Sequence, residues 1–362
     1  MTAKPNARTA APATAWPLAW PSSTTNLEPY RAPRWLPGGH LQTIHPATLV
    51  GKAPVAYRRE RWDVHHPTLG EDFVDVDFVD GEPGKPLVVL FHGLEGSSNS
   101  HYARSLMAAL AERGWSGAVP HFRGCSGEPN RTARFYHSGD SLEIDWIMAR
   151  LRARTCGPLY AAGVSLGGNA LLRWLGESGG MAGFVTAAAA ISAPLDLARG
   201  GEALSSGFNM LYTRMFLQTL KPKCLAKLEQ FPDLFDRQAL LAARDLYAFD
   251  NVVTAPLHGY RDTDDYWHRA SARHVLHDIT VPTLVLNARN DPFLPGRHLP
   301  DSASTAVTLE YPDEGGHVGF PAGPFPGRND WLPRRILSFF DDTGITSGAP
   351  AASELCEAGA HG

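Results

Sequence analysis

Gly163-Val164-Ser165-Leu166-Gly167 stands between an apolar run, Leu159-Tyr160-Ala161-Ala162, and a stretch of helical character, Asn169-Ala170-Leu171-Leu172-Arg173-Trp174-Leu175. Strand, G-x-S-x-G, helix is the pattern of a nucleophile elbow, and few local sequences constrain a fold so tightly. The turn from strand to helix is so sharp that the central residue is forced into a strained backbone conformation. Side chains two positions to either side would meet neighbouring backbone, so Gly163 and Gly167 remove them. Ser165 is thereby held at the carboxyl end of a sheet. The free N–H groups of the new helix point to where an oxyanion would form.

The rest of the chain supplies the sheet. Runs at 57–64, 72–80, 86–91, 116–122, 159–163, 184–191, 283–286 and 306–311 read as eight strands. In the second, Phe73, Val74, Val76, Phe78 and Val79 interleave with Asp75 and Asp77. That alternation predicts that the first two strands are antiparallel and half-exposed. Run 86–91 is continuously apolar, as a central parallel strand requires. Helical spacing at 99–113 and 138–154 places helices between strands, which implies right-handed crossovers and a mostly parallel sheet. This strand order fits the α/β-hydrolase fold: an eight-stranded, mostly parallel sheet flanked by helices.

Between Ile191 and Val281 the strand pattern stops, and helical patterns occupy 211–220, 224–231, 238–248 and 264–275. A helical cap inserted after the sixth strand is expected at about 196–260, as an excursion from one domain spanning 31–342. Phe208, Met210, Leu211, Met215 and Phe216 either line an acyl tunnel or form the cap's own small core. The end segments, 1–30 and 343–362, are small and polar and are expected to be flexible tails.

Composition excludes several classes. The 362 residues are 43% hydrophobic, enough for one large core with an insertion. With 33 basic against 37 acidic residues and no basic stripe, nucleic acid is excluded as a partner. Cys125, Cys156, Cys224 and Cys356 are widely spaced with no C-x-x-C pair, which argues for reduced thiols in a cytoplasmic protein. No apolar run reaches the roughly 18 residues of a membrane span, and the N-terminus lacks the apolar core of a signal peptide. His40 and His45, like His65 and His66, have no carboxylate at ligand spacing, so no metal is expected. Oligomeric state is not legible.

A serine hydroxyl needs an imidazole to take its proton and an acid to fix the imidazole tautomer. For this fold the chain order is serine, acid, histidine. His317 follows the last strand in Glu314-Gly315-Gly316-His317-Val318-Gly319-Phe320, and Asp291 follows the strand before it. Asp196, after the sixth strand, is the rival acid; Asp301 and Asp313 are worse placed. The oxyanion hole needs two peptide donors. The N–H of Leu166 follows the nucleophile, and the N–H of Leu94 lies in the loop Phe91-His92-Gly93-Leu94-Glu95-Gly96 after the third strand. Arg123, after the fourth strand, either binds an anionic group or braces its own loop. Such a set hydrolyses an ester through an acyl-enzyme with no cofactor. Acyl transfer to another acceptor uses the same groups, and a non-catalytic binding member of the fold is the rival from another class.

Several longer motifs are now visible. His40-Leu41-Gln42-Thr43, His92-Gly93-Leu94-Glu95-Gly96-Ser97, His121-Phe122-Arg123-Gly124-Cys125-Ser126-Gly127-Glu128-Pro129-Asn130, Ser165-Leu166-Gly167-Gly168-Asn169 and Gly315-Gly316-His317-Val318-Gly319-Phe320 occur in that order. Together they resemble the YheT-type esterases, a branch of the α/β-hydrolase superfamily whose eukaryotic relatives include acylglycerol lipases and phospholipases. The resemblance runs from about 33 to 340. It implies a single-domain carboxylic-ester hydrolase with a charge-relay triad at Ser165, Asp291 and His317. It also implies small-molecule ester or lipid substrates with short- to medium-length acyl chains.

Overall fold

The computed structural model describes residues 28–66 and 68–346. Its sheet comprises β1 (Arg58–His66), β2 (Gly70–Val79), β3 (Leu87–Phe91), β4 (Ser116–Pro120), β5 (Leu159–Val164), β6 (Ala187–Ile191), β7 (Thr283–Leu286) and β8 (Val307–Glu310). The spatial order is β1-β2-β4-β3-β5-β6-β7-β8. β1 and β2 are antiparallel, as is the β2–β4 pair. From β4 across to β8 every pairing is parallel. This is the mostly parallel eight-stranded sheet that the strand pattern predicts.

Side-chain alternation divides the core between two faces. Leu87, Val89 and Phe91 of β3 and Ala161 of β5 join Ile144, Ile147, Leu171 and Leu175 on one face. Those last four belong to helices α3 (Ser141–Arg152) and α4 (Leu166–Ser178). Val88, Leu90, Ala162 and Val164 join Leu106, Leu110, Ile336 and Phe340 on the other. There the helices are α2 (His101–Glu112) and α11 (Trp331–Thr346). Burial on both faces is why the central strands read as unbroken apolar runs.

β2 departs from expectation. It is buried from Asp72 to Val79, not half-exposed. Its register places Arg59 opposite Asp77 and Arg61 opposite Asp75. Each arginine grips its carboxylate with two nitrogens, at 2.6 and 2.8 Å for Asp77 and at 2.7 and 2.9 Å for Asp75. The polar alternation therefore encodes cross-strand ion pairs, not a wet face.

Between β6 and β7 lie α5 (Leu197–Leu204), α6 (Met210–Gln230), α7 (Arg237–Ala242), α8 (Leu246–Val252), α9 (Thr254–Leu257) and α10 (Thr263–Ala270). The two helical patterns at 211–220 and 224–231 merge into one helix, α6, with Pro222 inside it. The single pattern at 238–248 instead breaks, because Asp245 accepts a bond from the Ala248 N–H and caps a new helix. A further helix, α1 (Gly39–Thr48), precedes the sheet.

The expected tails fall largely outside the described residues. At their inner edges, Tyr30 is buried, its hydroxyl donating to the Pro321 carbonyl at 2.9 Å, and α11 continues to Thr346. Cys125 and Cys224 are free thiols. Among the described residues no helix is long and apolar enough to cross a membrane.

Candidate active site

β5 ends at Val164 and α4 begins at Leu166, so one residue makes the whole turn. Ser165 makes it with φ 53° and ψ −121°. A Cβ on Gly163 would lie 2.5 Å from the Gly167 carbonyl oxygen, and one on Gly167 would lie 2.4 Å from the Phe91 carbonyl oxygen. Both clashes are with backbone, which cannot yield, so the two glycines are obligatory.

Three loops converge on this serine. The Ser165 hydroxyl lies 2.9 Å from Nε2 of His317, and His317 Nδ1 lies 2.9 Å from Oδ2 of Asp291. The carboxylate of Asp291 is wholly buried, and its Oδ1 accepts from the Phe293 N–H at 2.7 Å. A carboxylate only accepts, so Nδ1 of His317 carries the proton and Nε2 is left to accept from the serine. Asp196 is elsewhere engaged: it pairs with Arg273 and caps α5 through the Arg199 N–H.

The loop after β3 is held by two tyrosines, Tyr136 buried and Tyr102 half-buried. The Gly93 N–H donates to the Tyr102 hydroxyl at 2.9 Å, and the Glu95 N–H donates to the Tyr136 hydroxyl at 2.8 Å. Between them the Leu94 N–H has no hydrogen-bond partner among the described residues, and Leu94 and Leu166 both border the cavity beside Ser165. As the first residue of α4, Leu166 has no carbonyl within the helix to receive its N–H. His92 is sealed in: it donates from Nδ1 to the Gly93 carbonyl and accepts the Phe122 N–H at Nε2. Burial drives its pKa down to about 3, so it is neutral and structural.

The cavity encloses about 1060 Å³, its open mouth included, and reaches from Ser165 into the helices after β6. Phe135, Leu204, Phe216, Leu220, Phe249 and Val253 make its wall largely apolar. Phe216 thus faces the cavity, but Phe208, Leu211 and Met215 do not belong to a tunnel or to a cap core. They are 55%, 44% and 55% exposed. At the rim Lys223 bonds Glu95 at 2.8 Å, joining α6 to the loop after β3.

Arg123 has no anion to offer itself to. Its guanidinium donates to Asp72 at 2.6 Å and to Glu143 at 2.8 Å, so it braces its loop through carboxylates. Burial pushes the Cys125 thiol up to about 12, which keeps it from acting as a thiolate.

Sequence reasoning passed over Phe293, whose ring stacks on His317 at 3.9 Å between centroids and 13° between planes. It also passed over Tyr102 and Tyr136. Their signal is weak, since a lone aromatic in an apolar context reads as core.

Comparison with known proteins identifies the fold and the family. The family model described as alpha/beta hydrolase fold matches residues 86–324. The chain belongs to the α/β-hydrolase family. This hydrolase is 40% identical over 309 residues to YheT of Escherichia coli (strain K12), a protein provisionally named an esterase, with 82% of this chain and 88% of that one covered. It is 28% identical over 325 residues to phospholipase ABHD3 of Mus musculus, covering 86% and 78% of the two chains. It is 28% identical over 257 residues to monoacylglycerol lipase of Saccharomyces cerevisiae, covering 67% and 56%. A solved esterase structure from Pyrococcus furiosus superposes with a TM-score of 0.49 at 16% identity, over 80% of this chain and 97% of that one. Its relatives make the hydrolase one of the esterase and lipase type.

Proposed function

We propose that the protein is a serine carboxylic-ester hydrolase, an esterase or small lipase, in which Ser165, His317 and Asp291 form a charge-relay triad. The unbroken bonded chain from the Ser165 hydroxyl through both nitrogens of His317 to a buried carboxylate carries this reading. His317 takes the serine proton as the hydroxyl attacks an ester carbonyl. The N–H groups of Leu94 and Leu166 receive the developing oxyanion. His317 then protonates the leaving alcohol, and water repeats the cycle on the acyl-enzyme. Asp291 accepts from His317 Nδ1 and stabilises the imidazolium that forms in each half-reaction. No cofactor enters these steps. The largely apolar cavity beside Ser165 suits the acyl chain of a short- to medium-chain ester or lipid.

Ser165→Ala is expected to lower turnover of a p-nitrophenyl acyl ester by more than about 10⁴-fold and abolish fluorophosphonate labelling, with melting temperature nearly unchanged. Retained turnover would assign the nucleophile elsewhere. Asp291→Asn should cost about 10³- to 10⁴-fold in kcat, because the imidazole loses the partner that fixes its tautomer. Asp196→Asn should cost stability through its lost bond to Arg273, with kcat within a few-fold of wild type. Activity lost only in the Asp196 variant would reverse the choice of acid.

A further inference from the structure

The motif His40-Leu41-Gln42-Thr43 has no part in the chemistry proposed above, yet Gln42 is fully buried and Thr43 nearly so. Both lie on α1, and their side chains reach the two loops that carry Asp291 and His317. Gln42 Oε1 accepts from the Asn290 side-chain amide and from the Gly315 N–H, each at 2.9 Å. Its amide nitrogen donates to the Leu36 carbonyl at 2.9 Å and to Glu314 at 3.1 Å, which fixes the orientation of the group. Asn290 Oδ1 accepts from the Gly316 N–H at 2.9 Å and closes the circuit between the loops. Thr43 Oγ1 donates to the Gly39 carbonyl at 2.7 Å and accepts the N–H of His317 itself at 2.8 Å.

The fit is also steric. A Cβ on Gly319 would lie 1.8 Å from the Gln42 carbonyl oxygen, and one on Gly39 would lie 2.0 Å from the Asn290 carbonyl oxygen. α1 is thus wedged against both loops at backbone distance. Each loop has a bond of its own, from the Phe320 N–H to the Gly315 carbonyl at 2.9 Å and from the Asp291 N–H to the Ala288 carbonyl at 3.1 Å, but the bonds through Gln42 and Asn290 join one loop to the other. Gly315, Gly316 and Val318 have φ of 147°, 63° and 60°, and no strand or helix spans the segment.

We infer that Gln42 and Thr43 are positioning residues, a clamp by which α1 sets the Asp291 loop against the His317 loop and so holds the acid–imidazole bond in register. The residues adjoining the acid and the imidazole in sequence, Asn290 and Gly316, are bonded to one another, and Gln42 bonds both Asn290 and Gly315. The imidazole-bearing residue is pinned by its own N–H to Thr43. Displacement of α1 would therefore move both partners, and a shift of about 1 Å in such a pair costs up to about 10²-fold in rate.

The inference rests on the serine-hydrolase reading, and the test separates the two. Thr43→Val keeps the shape and removes the acceptor for the His317 N–H; Thr43→Ser keeps the hydroxyl. Thr43→Val is expected to lower kcat for p-nitrophenyl butyrate by about 10- to 100-fold with KM within twofold, and Thr43→Ser to restore most of the loss. In proton NMR, the far-downfield Nδ1–H resonance of His317, identified by its loss in Asp291→Asn, should weaken in Thr43→Val and return in Thr43→Ser. Asn290→Ala, at a half-buried position, is the second variant should Thr43→Val fail to fold, and it should show the same drop in kcat and the same NMR change. Wild-type kcat and an unaltered resonance in the folded variant overturn the clamp. Wild-type protein that neither turns over ester nor reacts with a fluorophosphonate overturns the hydrolase reading instead.

Discussion

Ser165 sits where the chain has no room for error. Its left-handed backbone is tolerated because Gly163 and Gly167 leave space for strand and helix to approach, and because the Ser165 N–H is tied to the Ile191 carbonyl at 2.8 Å. Gly167 does more than relieve the turn. Its α-carbon faces the Phe91 and His92 carbonyls, the start of the loop that presents the Leu94 N–H. Gly167→Ala should therefore act on both the nucleophile and the oxyanion donor. The added methyl would lie 2.4 and 2.5 Å from those two carbonyl oxygens, and neither can rotate away. A loss of about 1–3 kcal/mol or more is expected, from the strain of an overfilled contact. Thermal denaturation should record it as a lower melting temperature, and ester turnover should show a kcat loss out of proportion to KM. Unchanged stability would mean that β3 and α4 are farther apart than the structure places them. Such positions are legible in sequence because only glycine satisfies them. Gln42 is not: its motif stands out, but nothing in four residues tells which distant loops an amide will bond.

At the scale of elements, what could be read depended on how local the determinant was. The central strands were legible, since burial on both faces leaves continuous apolar runs such as Leu87–Phe91. β2 was legible as a strand but not in its environment. Alternating aspartates look the same whether they face water or arginines on a neighbouring strand, and only the β1–β2 register resolves Arg59 onto Asp77 and Arg61 onto Asp75. The helices after β6 show the converse problem. Pro222 reads as a break yet lies within α6, while Asp245 reads as an ordinary helical residue yet caps α8. Periodicity senses a face and not a boundary, and caps decide boundaries. The meeting of Ser165, Asp291 and His317 was legible for a different reason. Parallel strands with right-handed crossovers bring every strand's carboxyl end to one edge, so side chains in the loops after β5, β7 and β8 share that edge whatever the helices between them do.

For the molecule as a whole, buried histidines set the response to acid. Burial lowers His92 to about 3, His101 to about 4 and His137 to about 3. In the unfolded chain each would titrate near its ordinary value of about 6.5. Below that pH the unfolded state binds more protons than the folded state, so stability falls as pH falls and levels only as the folded values near 3 to 4 are reached. At pH 5 each ring costs on the order of 2 kcal/mol relative to neutral pH. Asp72 adds to the loss at lower pH: although burial opposes it, bonds from Thr132, Asn130 and the Arg131 N–H, with the charge of Arg123, hold it down to about 2. Asp250 works the other way. Burial raises it to about 6, so the folded state gains a proton as pH drops from about 6 to 4, recovering on the order of 1 kcal/mol by pH 5. Burial also raises Glu112 and Glu143, in the same sense as Asp250, but the three imidazoles outweigh them, and calorimetry should show a lower melting temperature at pH 5 than at pH 7.5. Asp250→Asn should stabilise the protein at pH 7.5, where the wild-type carboxylate is charged in both states, and by about 1 kcal/mol less at pH 5, so that the fall on acidification steepens. A melting temperature flat between those two pH values would mean that the three imidazoles reach solvent and protonate in the folded state.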